Sequence, residues 1–253
     1  MKFRNISRLA YLKKARHRGG HGIHSPFLFH FIAFVIGNKK KIPEYKLFKK
    51  LRKQTQKMLK QLHFPFIPEM FTEFGVSTAK PRRLIRKVEL PMRYTKVLFR
   101  IVREFKPSRL TIYGPTLGLN ASSMAIASHD TEILLVTSDS VSGKFANELF
   151  KDLSFSNISF ASDSIPEIAT SDFVLINYPF DAGISVDLVH KHKDFDGANN
   201  ILVVRGIHNS VEMEHLWEEL ISSEKVRVSL DLFEIGIALF RKGLQKENFV
   251  LRF

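Results

Sequence analysis

The chain has 253 residues, of which 44% are hydrophobic, enough for the buried core of a large α/β domain. It contains no cysteine. This excludes disulfides, thiolate catalysis and cysteine-based zinc sites, and it favours a reducing compartment, the cytoplasm. No segment approaches the roughly 18 consecutive apolar residues of a membrane-spanning helix, and no apolar run follows the basic N-terminus, so we expect neither a membrane span nor a secretory signal.

The positive charge is concentrated in the first part of the chain. Residues 1–106 carry 27 Lys and Arg against 5 Asp and Glu, a net charge of +22. Residues 107–253 carry the remaining 12 Lys and Arg and 20 Asp and Glu, a net charge of −8. The overall charge of +14 therefore comes entirely from the first part. Two electrostatically different regions are expected.

The basic region is predicted to be mainly helical. Ser25 and Pro26 suit the cap and the first position of a helix that continues through residues 27–36. A second helix is predicted from Pro43 to about Lys60, with a partly apolar face among its lysines. It is expected to be a basic surface helix.

Helix-breaking residues interrupt this pattern before it resumes. A loop-rich connector is predicted from Pro65, Pro68, Gly75 and Pro81. Helical spacing of apolar residues returns over 92–105, and we expect this helix to pack on the segment that follows.

From residue 109 onward, short β-rich runs alternate with helix-like stretches. The runs are 110–113, 133–137, 158–161, 173–176 and 201–204. Such alternation is typical of a parallel sheet covered by helices on both faces. Two further runs, 226–232 and 235–241, are too close together for a crossover helix and are predicted to pair antiparallel.

The stretch from Arg109 to Ser123 is the best indication of function. It consists of an apolar strand, a turn containing Gly114 and Gly118, and the start of a helix. Glycines let the backbone approach a ligand closely, and the helix start offers unpaired N–H groups. Rossmann-like folds hold a nucleotide-like cofactor at this place.

Several motifs carry a resemblance that extends over nearly the whole chain. They are His21-Gly-Ile-His-Ser-Pro-Phe27, Gly114-Pro-Thr-Leu-Gly118, Asn157-Ile158, Met213-Glu214 with Trp217, and 231–241. With them the sequence resembles a bacterial family of class I methyltransferases dependent on S-adenosylmethionine (SAM), similar to small-molecule O-methyltransferases. The resemblance implies a Rossmann-like α/β fold with a seven-stranded, mostly parallel sheet and a C-terminal antiparallel hairpin, over 90–253, after a basic helical extension, 1–89.

The resemblance also implies a cofactor site. The residues that match positions of cofactor contact are Gly114, Thr116, Gly118, Asp139 and Asp163. Each has a structural alternative: the glycines can serve the turn alone, Asp139 can cap a helix beginning near Val141, and Asp163 can be a turn residue. The family has an acidic residue where this chain has Ile112, and Pro115 removes one N–H group from the loop.

A second departure lies after the fourth and fifth strands, where the family has acidic residues suited to a cation or a substrate hydroxyl. This chain has Asn177 and Arg205 there. Because Arg brings positive charge to the position of a cation, metal-dependent methyl transfer is disfavoured. Arg205 can bind an anionic substrate or pair with Asp181, and the structural pairing is the favoured interpretation.

Histidines provide the remaining candidates. His208, just beyond the fifth strand, is the candidate general base, although a structural role is the favoured alternative. His17, His21 and His24 form a His-rich loop, but no carboxylate or cysteine completes a zinc site, so no metal is predicted.

The basic region contains three lysine- and arginine-rich clusters that suit an anionic partner, either nucleic acid or a membrane surface. They are Lys39–Lys41, Lys49–Lys53 and Arg82–Lys87. The plain alternative is a solvated basic cap on the core. The leading hypothesis is a SAM-dependent methyltransferase that transfers a methyl group to an unidentified small molecule. The alternative is a catalytically degenerate methyltransferase fold that binds a partner through its basic region.

Overall fold

The computed structural model describes residues 2–15, 23–61, 76, 80–137, 141–161, 171–177 and 200–253. The helices in these ranges are α1 Lys2–Lys14, α2 Pro26–His30, which continues as a π-helical turn over Phe31–Ile36, α3 Glu44–Met58, α4 Pro81–Val88, α5 Met92–Phe105, α6 Leu119–Ala127, α7 Val141–Leu153 and α8 Val211–Ser222. None of these helices is long and apolar enough to cross a membrane.

The described strands form one mostly parallel sheet. They are β1 Arg109–Tyr113, β2 Glu132–Val136, β3 Ile158–Ala161, β4 Phe173–Ile176, β5 Ile201–Arg205, β6 Val228–Asp231, β7 Ile235–Leu239 and β8 Glu247–Val250. Their order across the sheet is β3-β2-β1-β4-β5-β7-β6-β8. All neighbouring strands run parallel except at β7, which is antiparallel to both β5 and β6. The α/β class, the parallel sheet and the antiparallel hairpin are therefore confirmed.

The strand count differs from the expectation. An eighth strand, β8, pairs parallel with β6, whereas seven strands were predicted. It begins with the polar pair Glu247-Asn248, so it lacks the apolar run that marks the other strands.

Apolar residues on the two faces of the sheet form separate clusters. Leu110 and Ile112 of β1 face one cluster, which contains apolar residues of α2, α5 and α6. Tyr113 of the same strand faces the other, to which α8 contributes Leu216 and Trp217. Helices thus cover both faces, and the strand ends meet at one carboxyl edge.

The predicted helix starts are confirmed where the chain is described. Ser25 accepts a hydrogen bond from the Leu28 amide at 3.4 Å, and Pro26 occupies the first helical position. The prediction of a connector reaching Pro81 was wrong at its end, because Pro81 begins α4 rather than interrupting a helix.

Candidate functional site

The glycine loop lies at the carboxyl edge of β1, between β2 and β4, and leads directly into α6. Gly114 has φ 106° and Gly118 has φ 85°, a backbone conformation that favours glycine. A Cβ atom on Gly118 would also lie 2.9 Å from the Phe150 ring. The predicted strand, turn and helix are confirmed, and both glycines have a conformational reason to be there. Their contact with a cofactor stays a prediction.

Glu89 satisfies the donors of this loop from inside the protein. Its carboxylate accepts hydrogen bonds from the amides of Leu117 at 2.6 Å, Leu119 at 3.2 Å and Asn120 at 3.0 Å. The Thr116 hydroxyl donates to it as well, at 3.1 Å. Because the start of a helix attracts negative charge, the carboxylate occupies the position that an anionic ligand group would take.

Glu89 is fully buried and was missed by the sequence analysis. The available signal was weak: it is one of 5 acidic residues in the basic first 106 residues, and it directly follows α4. Since it lies almost thirty residues before the loop it binds, nothing in the local pattern connects the two. Thr116, a predicted cofactor residue, is likewise committed to this network, because it also accepts from the Gly118 amide at 2.9 Å.

Ile112, where the resemblance implied an acidic residue, is part of the core. The side chain is only 1% exposed, and Leu135 and Leu175 are its register partners on the neighbouring strands. An apolar side chain in this position accepts no hydrogen bond from an ammonium group.

Arg205 and Asn177 close the ends of β5 and β4. The Arg205 guanidinium donates to the backbone carbonyls of Lys87 at 3.1 Å and Glu89 at 3.2 Å. It also donates to Asn177 Oδ1 at 3.1 Å, and Asn177 Nδ2 donates to the Val88 carbonyl at 3.1 Å. The two side chains therefore bind the C-terminus of α4, where carbonyls lack partners within the helix.

The nearest described carboxylate to Arg205 is that of Glu234, in the turn between β6 and β7. Its Oε1 lies 3.8 Å from Arg205 Nε, and its Oε2 accepts a hydrogen bond from Arg4 of α1. The favoured structural role of Arg205 is thus supported, although its suggested partner Asp181 lies outside the described residues. Arg205 itself is 3% exposed, so the positive charge is buried beneath α4.

His208 is held between two carboxylates. Its Nδ1 lies 2.7 Å from Glu214 Oε1 and its Nε2 lies 2.8 Å from Asp231 Oδ2. The ring stacks on Phe233 and contacts Tyr11 of α1. Burial alone would lower the pKa of His208, but the hydrogen bonds and charges of Asp231 and Glu214 outweigh it, so the pKa is raised.

Both ring nitrogens of His208 are engaged by carboxylates in this arrangement. The histidine lines a cavity of about 330 Å³ under α1, together with Tyr11 and Trp217. Its role as a general base stays a prediction.

Other predicted site residues cannot be placed. Asp139 and Asp163 lie outside the described residues, and so do His17 and His21. The roles proposed for them stay predictions.

The described residues do not fit the amino-acid end of SAM. Ile112 stands where an acidic residue was expected to bind the ammonium group of SAM. The amides at the start of α6 already bind Glu89. The ends of β4 and β5 are occupied by Asn177 and Arg205. No step of a methyl transfer can be assigned to the described residues.

No family model matches this chain, and no curated protein does. Solved structures do match it in fold. The S-adenosylhomocysteine-bound methyltransferase PaMTH1 from Podospora anserina has a TM-score of 0.57 and 11% identity, over 87% of this chain and 97% of that one. The O-methyltransferase TomG from Streptomyces achromogenes, in complex with SAM, has a TM-score of 0.53 and 12% identity, over 81% of this chain and 93% of that one.

A third solved structure matches this chain in fold. The O-methyltransferase from Bacillus cereus has a TM-score of 0.50 and 8% identity, over 76% of this chain and 99% of that one. At these identities the likeness establishes the fold: the chain has the Rossmann-like α/β fold of class I methyltransferases, with its sheet extended by β8.

Proposed function

We propose that this protein is a catalytically degenerate methyltransferase fold that acts by binding an anionic partner through its basic region. One observation carries the proposal: the Glu89 carboxylate accepts hydrogen bonds from three backbone amides at the glycine loop and the start of α6. A ligand carboxylate would have to displace it, and would leave a fully buried charge without its partners.

The ends of β4 and β5 support the same conclusion. A substrate or cation there would require Arg205 to leave the carbonyls that it binds at the end of α4. Breaking such a buried set of bonds costs about 3 kcal/mol or more. A ligand would need to replace all of them to bind with net affinity.

The surface of the basic region supports a binding role. Exposed cations lie on α3 at Lys49, Lys50 and Lys53, and on α4 at Arg82 and Arg83. α3 and α4 contribute Leu51 and Leu84 to the same apolar cluster, so these exposed charges lie on two helices that pack on one part of the core. Such a surface attracts phosphate-rich partners, nucleic acid or an anionic membrane.

The test is binding of a labelled single-stranded oligonucleotide and of anionic vesicles over a salt series. The proposal expects binding that weakens steeply with salt. The variant Lys49→Gln/Lys50→Gln/Lys53→Gln should reduce it, whereas Lys225→Gln, in the acidic second part of the chain (residues 107–253), serves as a control. No binding at low salt would reject the proposal.

The second candidate is SAM-dependent methyl transfer to a small-molecule acceptor. It is supported by the fold shared with O-methyltransferases and by the retained glycines of the loop. Under this alternative Asp139→Ala should weaken SAM binding, and unchanged affinity would reject that role for Asp139. A cytoplasmic location fits both candidates, since a chain without cysteine suits a reducing compartment.

A further inference from the structure

A basic cleft opens between the end of the π-helical turn and the outer side of α5. Its volume is about 830 Å³. Five cations line it: Lys39, Arg93, Lys96, Arg100 and Arg252. None of the side chains that line the cleft is acidic, and among the described residues none of the five cations forms an ion pair with an acidic side chain.

Arg100 places an unneutralised charge at the base of the cleft. The residue is 7% exposed. Its guanidinium donates to the carbonyls of Val35 and Ile36 and, at 2.9 Å, to the Tyr45 hydroxyl. All three acceptors are neutral, so they fix the side chain without cancelling its charge, and a positive potential persists in the cleft.

Two further cations are held in place by aromatic rings. Arg93 lies 4.6 Å from the centre of the Tyr94 ring and 5.6 Å from that of Phe253, and it donates to the Tyr94 hydroxyl at 2.8 Å. Lys96 lies 4.5 Å from the centre of the Tyr45 ring. Side chains ordered before a ligand arrives lose less entropy on binding, which raises affinity.

We propose that this cleft binds a small molecule that carries two or more phosphate groups. Its volume falls within the range of about 300–1,000 Å³ that is typical of small-molecule sites. A single phosphate carries a charge of about −2 at neutral pH, so five lining cations suit a ligand with more than one phosphate group. The concave shape, with Arg100 at its base, suits a compact ligand better than a long nucleic-acid backbone.

The inference goes beyond the proposed function, because the cleft is formed by α5 and the turn rather than by the exposed faces of α3 and α4. The cleft can therefore fail to bind phosphates while the partner-binding role of α3 and α4 stands. Equally, the cleft can bind phosphates while α3 and α4 bind no partner.

The test is calorimetric titration with inorganic tripolyphosphate, with orthophosphate titrated in parallel. Tripolyphosphate should bind at moderate salt and at least about tenfold more tightly than orthophosphate, because it reaches more of the cations. Arg93→Gln/Lys96→Gln should weaken its binding about tenfold or more. The variant Lys49→Gln/Lys50→Gln removes the same charge from α3 and should leave affinity within about twofold.

A second variant shows whether weaker binding comes from the lost cation or from a loss of structure. Arg252 is exposed, so Arg252→Gln should fold normally and still weaken tripolyphosphate binding. Competition then identifies the source of the phosphates: displacement by ATP indicates a soluble nucleotide, and displacement by vesicles containing a phosphoinositide bisphosphate indicates a lipid headgroup.

Two results would overturn the inference. One is the absence of tripolyphosphate binding by the folded protein, even where it binds an oligonucleotide through α3. The other is an equal loss of affinity in the α3 variant and in the cleft variant, which would indicate diffuse attraction to the basic surface. Micromolar SAM binding would reject the proposed function and would leave the result for the cleft unaffected.

Discussion

The carboxylate of Glu89 and the backbone amide of Asn120 lie 3.0 Å apart, although 31 positions separate them in the chain. This bond joins the end of α4 to the start of α6, beside the glycine loop. At the start of α6, a side chain of the protein thereby provides the negative charge that a helix start attracts.

Replacing Glu89 by Gln should destabilise the protein strongly. Glutamine keeps one carbonyl oxygen but loses the charge and the second acceptor, so the Asn120 amide loses its acceptor and the bonds to the other oxygen weaken. We expect a loss of about 2 kcal/mol or more in the free energy of unfolding. Urea denaturation measures it. Glu104→Gln, at an exposed ion pair with His30, is the control and should cost less than about 1 kcal/mol. Equal effects would show that the Glu89 network is not important for stability.

Replacing Arg205 by Met should loosen α4. The carbonyls at the end of this helix would lose their donor, and we expect a loss of about 3 kcal/mol together with faster amide exchange in α4. Arg103→Met is the control, because Arg103 is exposed and pairs with Glu44 at 3.1 Å. If exchange in α4 did not change, the guanidinium would not hold this helix.

Introducing an acid at position 112 should destabilise the fold rather than create a cofactor site. A carboxylate would be buried among apolar residues of β1, β2 and β4, at a cost of about 4 kcal/mol or more. Ile112→Val, which keeps the apolar character, should cost only about 1 kcal/mol. Thermal unfolding compares the two. A stable Ile112→Asp variant with a gain in SAM affinity would contradict the account.

The packing of α1 should depend on pH through His208. Its folded pKa is raised, so its contribution to stability is complete below the unfolded value of about 6.5 and is lost as the pH rises through the folded value. Trp217, the only tryptophan, lines the same cavity and reports the change by fluorescence. His208→Gln should remove this pH dependence, and a variant that retained it would assign the titration to another group.

The sequence was sufficient to predict the elements that have a strong local pattern. The apolar runs that form β1 to β7 and the helical spacing of α5 were recognised because strands and helices bury residues with a fixed period. β8 was missed because half of it is polar. Pro81 was misread because proline both breaks helices and begins them.

The chemistry of the site could be predicted only in part. The unusual residues Ile112, Asn177 and Arg205 were visible in the sequence, because each departs from a known pattern. Their partners were not, since backbone carbonyls of α4 and a carboxylate at Glu89 meet them only through the tertiary fold. Long-range hydrogen bonds of this kind leave no periodic signal.

The most direct test of the account is calorimetric titration of the folded protein with SAM and with S-adenosylhomocysteine at moderate salt. The account predicts no heat of binding up to millimolar concentrations of either compound, because Glu89 and Arg205 hold the groups that would bind them. Binding in the micromolar range would contradict it, and would restore SAM-dependent methyl transfer as the leading function.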